Sequence, residues 1–202
     1  MHISEGVLSP PVLAAGWALA TGGIAIGLKK TPIEKLPQTA LVAGVLFLAS
    51  LVHVPVGPSS VHLTFLGLAG ILLGFSSVPA LFIALFLQGL LFQFGGLLSL
   101  GINTASMGTA ALIGSFIFNI FPKKVKVIGA FAASFTAVLV GTVIVVAALY
   151  FSDKDLKTTA ALLFAANVPL AVVEGFISVF IVGFLSKIKP DLLRGVITKH
   201  AS

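Results

Sequence analysis

Residues 36–122 read LPQTALVAGVLFLASLVHVPVGPSSVHLTFLGLAGILLGFSSVPALFIALFLQGLLFQFGGLLSLGINTASMGTAALIGSFIFNIFP, and none of these 87 residues is Asp, Glu, Lys or Arg. A soluble fold could neither bury so long a stretch completely nor hydrate it without charged side chains. One membrane-crossing helix needs roughly 20 apolar residues, so the stretch has room for about four crossings with short turns. It therefore predicts an integral membrane protein that contacts the lipid bilayer.

The rest of the chain has the same character. Of its 202 residues, 58% are hydrophobic and 9% are charged, against about a quarter charged in soluble domains. The absence of cysteine excludes disulfides and thiolate metal sites. The net charge of +6 comes from small clusters between apolar runs, which is typical of membrane topology and not of a nucleic-acid-binding face.

Seven apolar segments predict an all-α, polytopic bundle of about seven transmembrane helices, in a single membrane domain over residues 1–202. Backbone within lipid must satisfy its own hydrogen bonds, and the chain lacks the alternating pattern of barrel strands. The third segment is short for a full crossing, so a tilted or partial helix is open there. The segments run from about Val7 to Leu28, Pro37 to Val52, His62 to Phe75, the turn at 76–79 to Phe94, Asn103 to Phe121, Val127 to Phe151 and Ala160 to Leu185.

The distribution of Lys and Arg predicts the orientation. With the N-terminus outside, ten of the 12 Lys and Arg residues fall in cytoplasmic loops or in a cytoplasmic tail over residues 187–202, and only Lys154 and Lys157 fall outside. Because loops rich in basic residues stay on the inner side, we expect an external N-terminus, a cytoplasmic C-terminus and insertion in the cell membrane. Residues 1–10 and the outer loops at 53–62 and 95–103 then share one compartment.

The dipeptide Met1-His2 is a candidate metal chelator. A free terminal amine, the amide nitrogen of His2 and its imidazole can hold one ion through two fused rings, and Ni(II) and Cu(II) favour such planar nitrogen sets. The alternative is a frayed terminus that happens to carry histidine. Residues 1–10 are thus a candidate metal-binding segment.

The loop at 53–62 carries two further candidate ligands, His53 and His62. Two prolines stiffen this uncharged, turn-rich loop, so that it can hold an imidazole in place. In the alternative, His53 ends the second helix and His62 begins the third, and neither binds a ligand. Every histidine outside the C-terminal tail falls on the predicted outer side, which favours a metal site there, whereas His200 in the tail is expected to be solvated.

Polar side chains interrupt the apolar segments on both sides of a glycine pair. Gln88 and Gln93 lie in the fourth segment, and Asn103 opens the fifth as a candidate helix cap. Together with Ser60 they are predicted to orient the histidine ligands through hydrogen bonds. Packing between helices and a glycine turn explain the same residues without a ligand, and for Gln88 we favour that explanation.

Glu174 is the only carboxylate inside the apolar segments. Its desolvation makes a functional role the first hypothesis: it could relay protons, guide a cation, or stay neutral and hydrogen-bonded. Because no other segment contains a basic residue, an ion pair is not expected. We favour structural hydrogen bonding over a transport role.

A stripe of small residues lies in the first segment, where Ala14, Ala18 and Gly22 repeat every four positions. Such stripes allow close helix approach, either within the bundle or to a partner subunit. The chain has no phosphate-binding glycine loop, nucleophile elbow or His-Glu-x-x-His pair. It is therefore not predicted to be an enzyme, and active uptake would need energy from partners or an ion gradient.

Four pieces of the chain together resemble a known family. They are MHISEGVLSP at residues 1–10, the stretch 55–63 with Ser-Val-His, the stretch 88–107 with its glycine pair, and VPLAVVEG at residues 168–175. The combination resembles the CbiM/NikM-type substrate-binding membrane component of energy-coupling-factor (ECF) cobalt and nickel importers, over nearly the whole chain. Two departures are Phe94, where many members carry a polar or acidic residue, and His53, which is outside the core motif.

The resemblance implies a seven-helix bundle whose N-terminal segment is inserted from outside. The transported ion, Ni(II) or Co(II), would be held by the Met1 amine, the His2 amide nitrogen and imidazole, and the His62 imidazole, with His53 as a further candidate ligand. Expected partners are a transmembrane coupling subunit, two copies of an ATPase subunit that hydrolyses ATP, and a small accessory membrane protein. Cobalamin biosynthesis is the expected physiological setting.

Two other functions remain open. The first is a proton- or cation-coupled small-molecule transporter that uses Glu174, and the second is a membrane scaffold without transport activity. Blocking the Met1 amine should abolish binding only if the chain holds a metal. The sequence does not decide between cobalt and nickel, because both accept this ligand set.

Overall fold

The computed structural model describes residues 3–51, 53–56, 59–152 and 157–193. Within these ranges the chain forms seven α-helices and one two-stranded hairpin. In chain order the elements are α1 (Pro10–Lys29), α2 (Leu36–Ala49), β1 (His53–Val56), β2 (Ser59–His62), α3 (Leu66–Leu73), α4 (Ser77–Phe92), α5 (Leu100–Ile120), α6 (Lys126–Ser152) and α7 (Lys157–Ile188). Each predicted apolar segment contains one of the helices, so the predicted helical architecture is confirmed.

The hairpin departs from the purely helical prediction. β1 and β2 pair antiparallel, with His53 opposite His62 and Val54 opposite Val61. Val54 is β-branched and precedes Pro55, and both properties favour extended backbone over helix. The second apolar segment therefore ends before His53, and the third begins after His62.

Basic residues gather at one end of the helix bundle. α1 and α5 run in parallel, because Gly16 lies against Ile102 near the start of both helices while Gly23 and Gly108 both lie against Val78 farther along. These helices therefore end on the same side of the bundle. This end is called the basic end below, and its lysines include Lys29, Lys30, Lys35, Lys126 and Lys187.

The short helix α3 runs toward the basic end. Ile71 packs in one cluster with Val182, which lies near the end of α7. The Gln38 side chain, near the start of α2, donates to the Leu72 carbonyl at 3.1 Å. With eight residues, α3 is about 12 Å long, under half of a hydrocarbon core of about 30 Å. The third segment is thus a half-length helix that follows the hairpin.

The chain turns back between α3 and α4. Gly74 has φ 57° and ψ −124°, a conformation that glycine tolerates and other residues resist. In the 3₁₀ turn that follows, the Ser76 hydroxyl accepts a hydrogen bond from Thr31, just beyond α1, at 2.7 Å. α4 then runs to the opposite end, where the Phe92 ring lies 5.8 Å from the ring of Phe47 near the end of α2.

Five stretches of the described residues are long and apolar enough to cross a membrane, namely Pro10–Lys29, Leu66–Phe92, Leu100–Ile120, Lys126–Ser152 and Ala161–Ile188. The second of these stretches contains the reversal at Gly74. α2 falls outside the set because it has 14 residues. These lengths establish a membrane helix bundle, while seven crossings and the orientation of the termini stay predictions.

Glycine permits the close approach of α3 and α5. A Cβ on Gly70 would overlap the carbonyl oxygen of Ala111. The predicted small-residue stripe of α1 is different, since a Cβ on Gly22 would meet nothing within 4 Å. Its three members are all exposed: Ala14, Ala18 and Gly22. The stripe therefore takes no part in the packing of the described bundle.

Candidate functional site

Asn103 holds the N-terminal segment inside the bundle. The Ile3 N–H donates to Asn103 Oδ1 at 2.9 Å, and Asn103 Nδ2 donates to the Ile3 carbonyl at 3.1 Å. Both residues are buried. Since α5 begins at Leu100, Asn103 lies inside the helix, and the expectation that it caps the helix is wrong. Its amide instead pairs both backbone groups of the residue that follows His2.

Glu5 ties the same segment to the glycine-containing loop. Its Oε1 accepts a hydrogen bond from the Leu98 N–H at 2.7 Å. Gly96, at φ 83°, lies so close that any Cβ there would overlap the Glu5 side chain. Sequence reasoning did not single out Glu5 as a site residue. The available signal was that Glu5 is the only charged residue before Lys29.

Apolar packing fixes the N-terminal segment further. Ile3 and Leu8 belong to one buried cluster with Leu149 of α6 and Leu163 of α7. Burying a side chain such as Ile3 completely contributes about 1.5–3 kcal/mol. The segment is thus docked by side-chain burial as well as by hydrogen bonds.

His62 is buried at the end of β2, with 4% of its surface exposed. Its Nδ1 lies 2.9 Å from the Leu63 carbonyl. Because a carbonyl can only accept, this contact assigns the ring proton to Nδ1 and a lone pair to Nε2. A neutral imidazole of this tautomer is a common ligand of Ni(II) and Co(II). The donor chemistry of His62 therefore fits the predicted metal.

Glu174 clamps the segment that follows His62. The Thr64 N–H donates to Glu174 Oε1, and the Thr64 hydroxyl lies 2.9 and 3.0 Å from the two carboxylate oxygens. Glu174 is fully buried, and Phe65, the next residue after Thr64, has a left-handed φ of 49°. This is the structural hydrogen bonding favoured above. Thr64 was missed, because a threonine in a loop carries no sequence signal of its own.

The two glutamines of the fourth segment have different positions. Gln88 is 2% exposed, and its Oε1 has no hydrogen-bond partner. Gln93 is exposed at the end of α4, where its φ is 57°. Gln93 is therefore not brought into the buried cluster around Asn103, whereas Gln88 is an internal polar group as predicted.

Several predicted site residues lie partly or wholly outside the described structure. Met1 and His2 are outside the described residues, as are the side chains of His53 and Ser60. The backbone of the hairpin nevertheless pairs His53 with His62. The register therefore brings these two backbone positions together.

Asn167 is a third polar residue that sequence reasoning missed, after Glu5 and Thr64. Its Nδ2 donates to the Leu163 carbonyl at 2.8 Å, but its buried Oδ1 has no partner. Asn167 precedes Glu174 by seven residues, so both lie on one face of α7. The signal in the sequence was an asparagine two residues before Pro169, inside an apolar segment.

The described residues alone do not form a complete metal site. Among them, no group of three His, Cys, Asp or Glu side chains could hold an ion. What they provide is one oriented imidazole at His62 and a docked segment that leads to the terminal dipeptide. The remaining donors of a four-nitrogen site would have to come from that dipeptide.

The chain is similar to known metal transport proteins. Residues 2–192 match the CbiM family, described as the cobalt uptake substrate-specific transmembrane region. A putative metal transport protein of Haemophilus influenzae is 37% identical over 96% of this chain and 97% of its own length. A crystal structure of a transition metal transporter has a TM-score of 0.78 and 26% identity, and the likeness covers 93% of both chains.

Two further relatives are fused proteins. A putative fused cobalt transport protein CbiMQ of Methanocorpusculum labreanum is 32% identical over 95% of this chain, which corresponds to 36% of the relative. A putative fused nickel transport protein NikMN of Archaeoglobus fulgidus is 25% identical over 96% of this chain and 68% of its own length. In both proteins, a region similar to this chain is joined to an additional segment.

Proposed function

The chain belongs to the CbiM family and is a membrane component of cobalt and nickel transport, and we propose that it captures Ni(II) or Co(II) for an ATP-driven importer. The observation that carries the proposal is the docking of the N-terminal segment through Ile3 and Asn103. The two hydrogen bonds hold the third residue in one place, as a chelating dipeptide directly before it would require. This docking supports the proposal that the terminal dipeptide enters the bundle.

Four nitrogen atoms form the proposed metal site. They are the Met1 amine, the His2 amide nitrogen, the His2 imidazole and the His62 imidazole. His53 is retained as a further candidate ligand, because its backbone lies opposite His62. When the ion binds, the His2 amide loses its proton to solvent, a reaction that metals favouring planar nitrogen sets promote.

The proposed topology has seven crossings with the N-terminus outside and the basic end in the cytoplasm. The reversal at Gly74 supports this count, since it separates α3 from α4 and so allows each of them to belong to a crossing of its own. An odd number of crossings places the two termini on opposite sides. The ion then enters from outside, at the end of the bundle away from the lysines.

The proposed partners supply the energy. The fused relatives CbiMQ and NikMN support a multi-component transporter, because fusion joins proteins that work together. We propose a transmembrane coupling subunit, two ATPase subunits and a small accessory membrane protein in the cell membrane. ATP hydrolysis in these partners would drive release of the ion into the cytoplasm, and the chain itself is not an enzyme.

The free amine is the feature to test. The full chain, purified in lipid nanodiscs, is compared with a chain that carries one additional alanine before Met1. The extension moves the amine by one residue and breaks the fused chelate rings, so Ni(II) and Co(II) binding should fall at least a hundredfold. Binding is measured by competition with a coloured chelator.

Two controls accompany this test. Mass spectrometry establishes that Met1 is the first residue of the purified chain, and His200→Ala removes a histidine outside the proposed site. His200→Ala should bind both ions as the unchanged chain does. Undiminished binding by the alanine-extended chain would refute the proposed site.

A further inference from the structure

His62 and Glu174 are the only ionisable side chains among the buried residues that the structure describes. They are also close together, because Glu174 holds Thr64, two residues after His62. Two residues of chain reach at most about 7 Å. Among the described residues, the one buried carboxylate therefore holds the chain two residues from the one buried imidazole.

Glu174 has hydrogen-bond donors but no cationic side chain beside it. The groups that donate to its carboxylate oxygens, namely the Thr64 N–H, the Thr64 hydroxyl and the Phe65 N–H, are all uncharged. Within the described residues no lysine or arginine is buried. A carboxylate kept in an apolar bundle costs several kcal/mol unless a positive charge offsets it.

The cargo would carry such a positive charge. A divalent ion that binds the proposed nitrogen set displaces the ammonium proton of Met1 and the amide proton of His2 to solvent, so the metal and its ligands retain one net positive charge. This charge would also be unfavourable in an apolar bundle. We propose that Glu174 is the counter-charge of the cargo, a positioning residue that offsets the net charge of the bound ion without touching it.

The inference rests on the proposed capture of Ni(II) or Co(II) and adds a reason for selectivity. A buried carboxylate matches a bound complex of one positive charge. Monovalent ions at the same ligands would leave the pair with excess negative charge. The bundle should therefore favour divalent ions through charge as well as through ligand type.

Charge and contact can be separated at this position. Glu174→Gln keeps the length of the side chain and removes the charge, whereas Glu174→Asp keeps the charge and shortens the reach to Thr64. At an effective dielectric constant of about 20, a unit charge about 10 Å away changes a binding constant by about tenfold. At pH 9, where the free Met1 amine is uncharged before it binds the ion, we therefore expect Glu174→Gln to weaken Ni(II) binding about tenfold and Glu174→Asp to weaken it less than threefold.

The probe is Ni(II) alone, added to the full chain in nanodiscs, with the visible absorption of the bound ion as a second readout. The absorption band should be unchanged in Glu174→Gln, because the nitrogen ligands remain. Ser178→Ala is the matched control: it removes the 2.6 Å contact with Ser134 one turn along the same face of α7, and it should bind Ni(II) normally. Equal losses in Glu174→Gln and Glu174→Asp would overturn the proposal and leave a purely structural clamp.

Thr64→Val covers the case in which Glu174→Gln does not fold. It removes the hydroxyl contact but keeps the carboxylate, so a counter-charge predicts binding within threefold of the unchanged chain, and a tenfold loss overturns the proposal. The failure of the proposed function can be distinguished from the failure of the counter-charge. If the proposed function is wrong, the unchanged chain does not bind Ni(II), or it binds Ni(II) equally well with a blocked amine. If the unchanged chain binds and Glu174→Gln binds equally well, only the counter-charge is refuted.

Discussion

Replacing Asn103 with leucine should undock the N-terminal segment. The substitution keeps a side chain of similar size and removes both hydrogen bonds to Ile3, at 2.9 and 3.1 Å. Each such bond contributes about 1 kcal/mol net, so docking weakens by about 2 kcal/mol. If metal binding requires the docked segment, the dissociation constant for Ni(II) rises about 30-fold.

The assay is chelator competition on Asn103→Leu in nanodiscs, beside a matched variant of the same helix. Asn119→Leu also removes an amide on α5, which donates to the Ser115 carbonyl at 2.8 Å, but near the basic end. It should bind Ni(II) as the unchanged chain does. The comparison requires that Asn103→Leu and Asn119→Leu have similar unfolding temperatures. If Asn103→Leu then bound Ni(II) within threefold of the unchanged chain, docking through Ile3 would not be part of metal capture.

Three further outcomes are expected. Glu5→Ala removes the acceptor of the Leu98 N–H and should weaken Ni(II) binding a few-fold in the same competition assay. Glu5→Gln still accepts this hydrogen bond and should keep most of the Ni(II) affinity. Equal losses in both variants would contradict this role. Nickel affinity should fall steadily below about pH 6.5, because protons then compete for imidazole nitrogen, and a pH-independent affinity between pH 5 and 7 would argue against histidine ligands. Gly70→Ala should lower the unfolding temperature, since its Cβ would overlap the Ala111 carbonyl. Gly22→Ala should leave the unfolding temperature unchanged, because a Cβ there would meet nothing within 4 Å. The same decrease in both variants would mean that the close approach of α3 and α5 is not stabilising.

Much of the architecture could be predicted because it depends on composition alone. A run of 87 residues without Asp, Glu, Lys or Arg is stable only within a lipid bilayer, and backbone in lipid must form helices when no barrel pattern is present. The hairpin at His53–Val56 and Ser59–His62 could not be recognised as such, since a short apolar strand and a helix end have similar composition. The direction of α3 could not be predicted either, because an eight-residue helix can run toward either end of the bundle.

The candidate site shows the same division. Histidine at positions 2 and 62 and the carboxylate at 174 were recognisable because polar groups are rare in this chain and costly in lipid. Thr64 gave no such signal, and the signals of Glu5 and Asn167 did not indicate a role, since the importance of all three depends on which residue they contact across the fold.

The sequence by itself determined that the chain is a membrane helix bundle. It also showed which polar residues are costly inside the apolar segments and which loops contain the lysines. Only the tertiary structure decided that Asn103 pairs with the backbone of Ile3, 100 residues away, and that Glu174 holds Thr64, 110 residues away. Hydrophobicity acts on each segment independently and can be read locally. Hydrogen bonds are short and directional, so their partners are known only once the helices are packed.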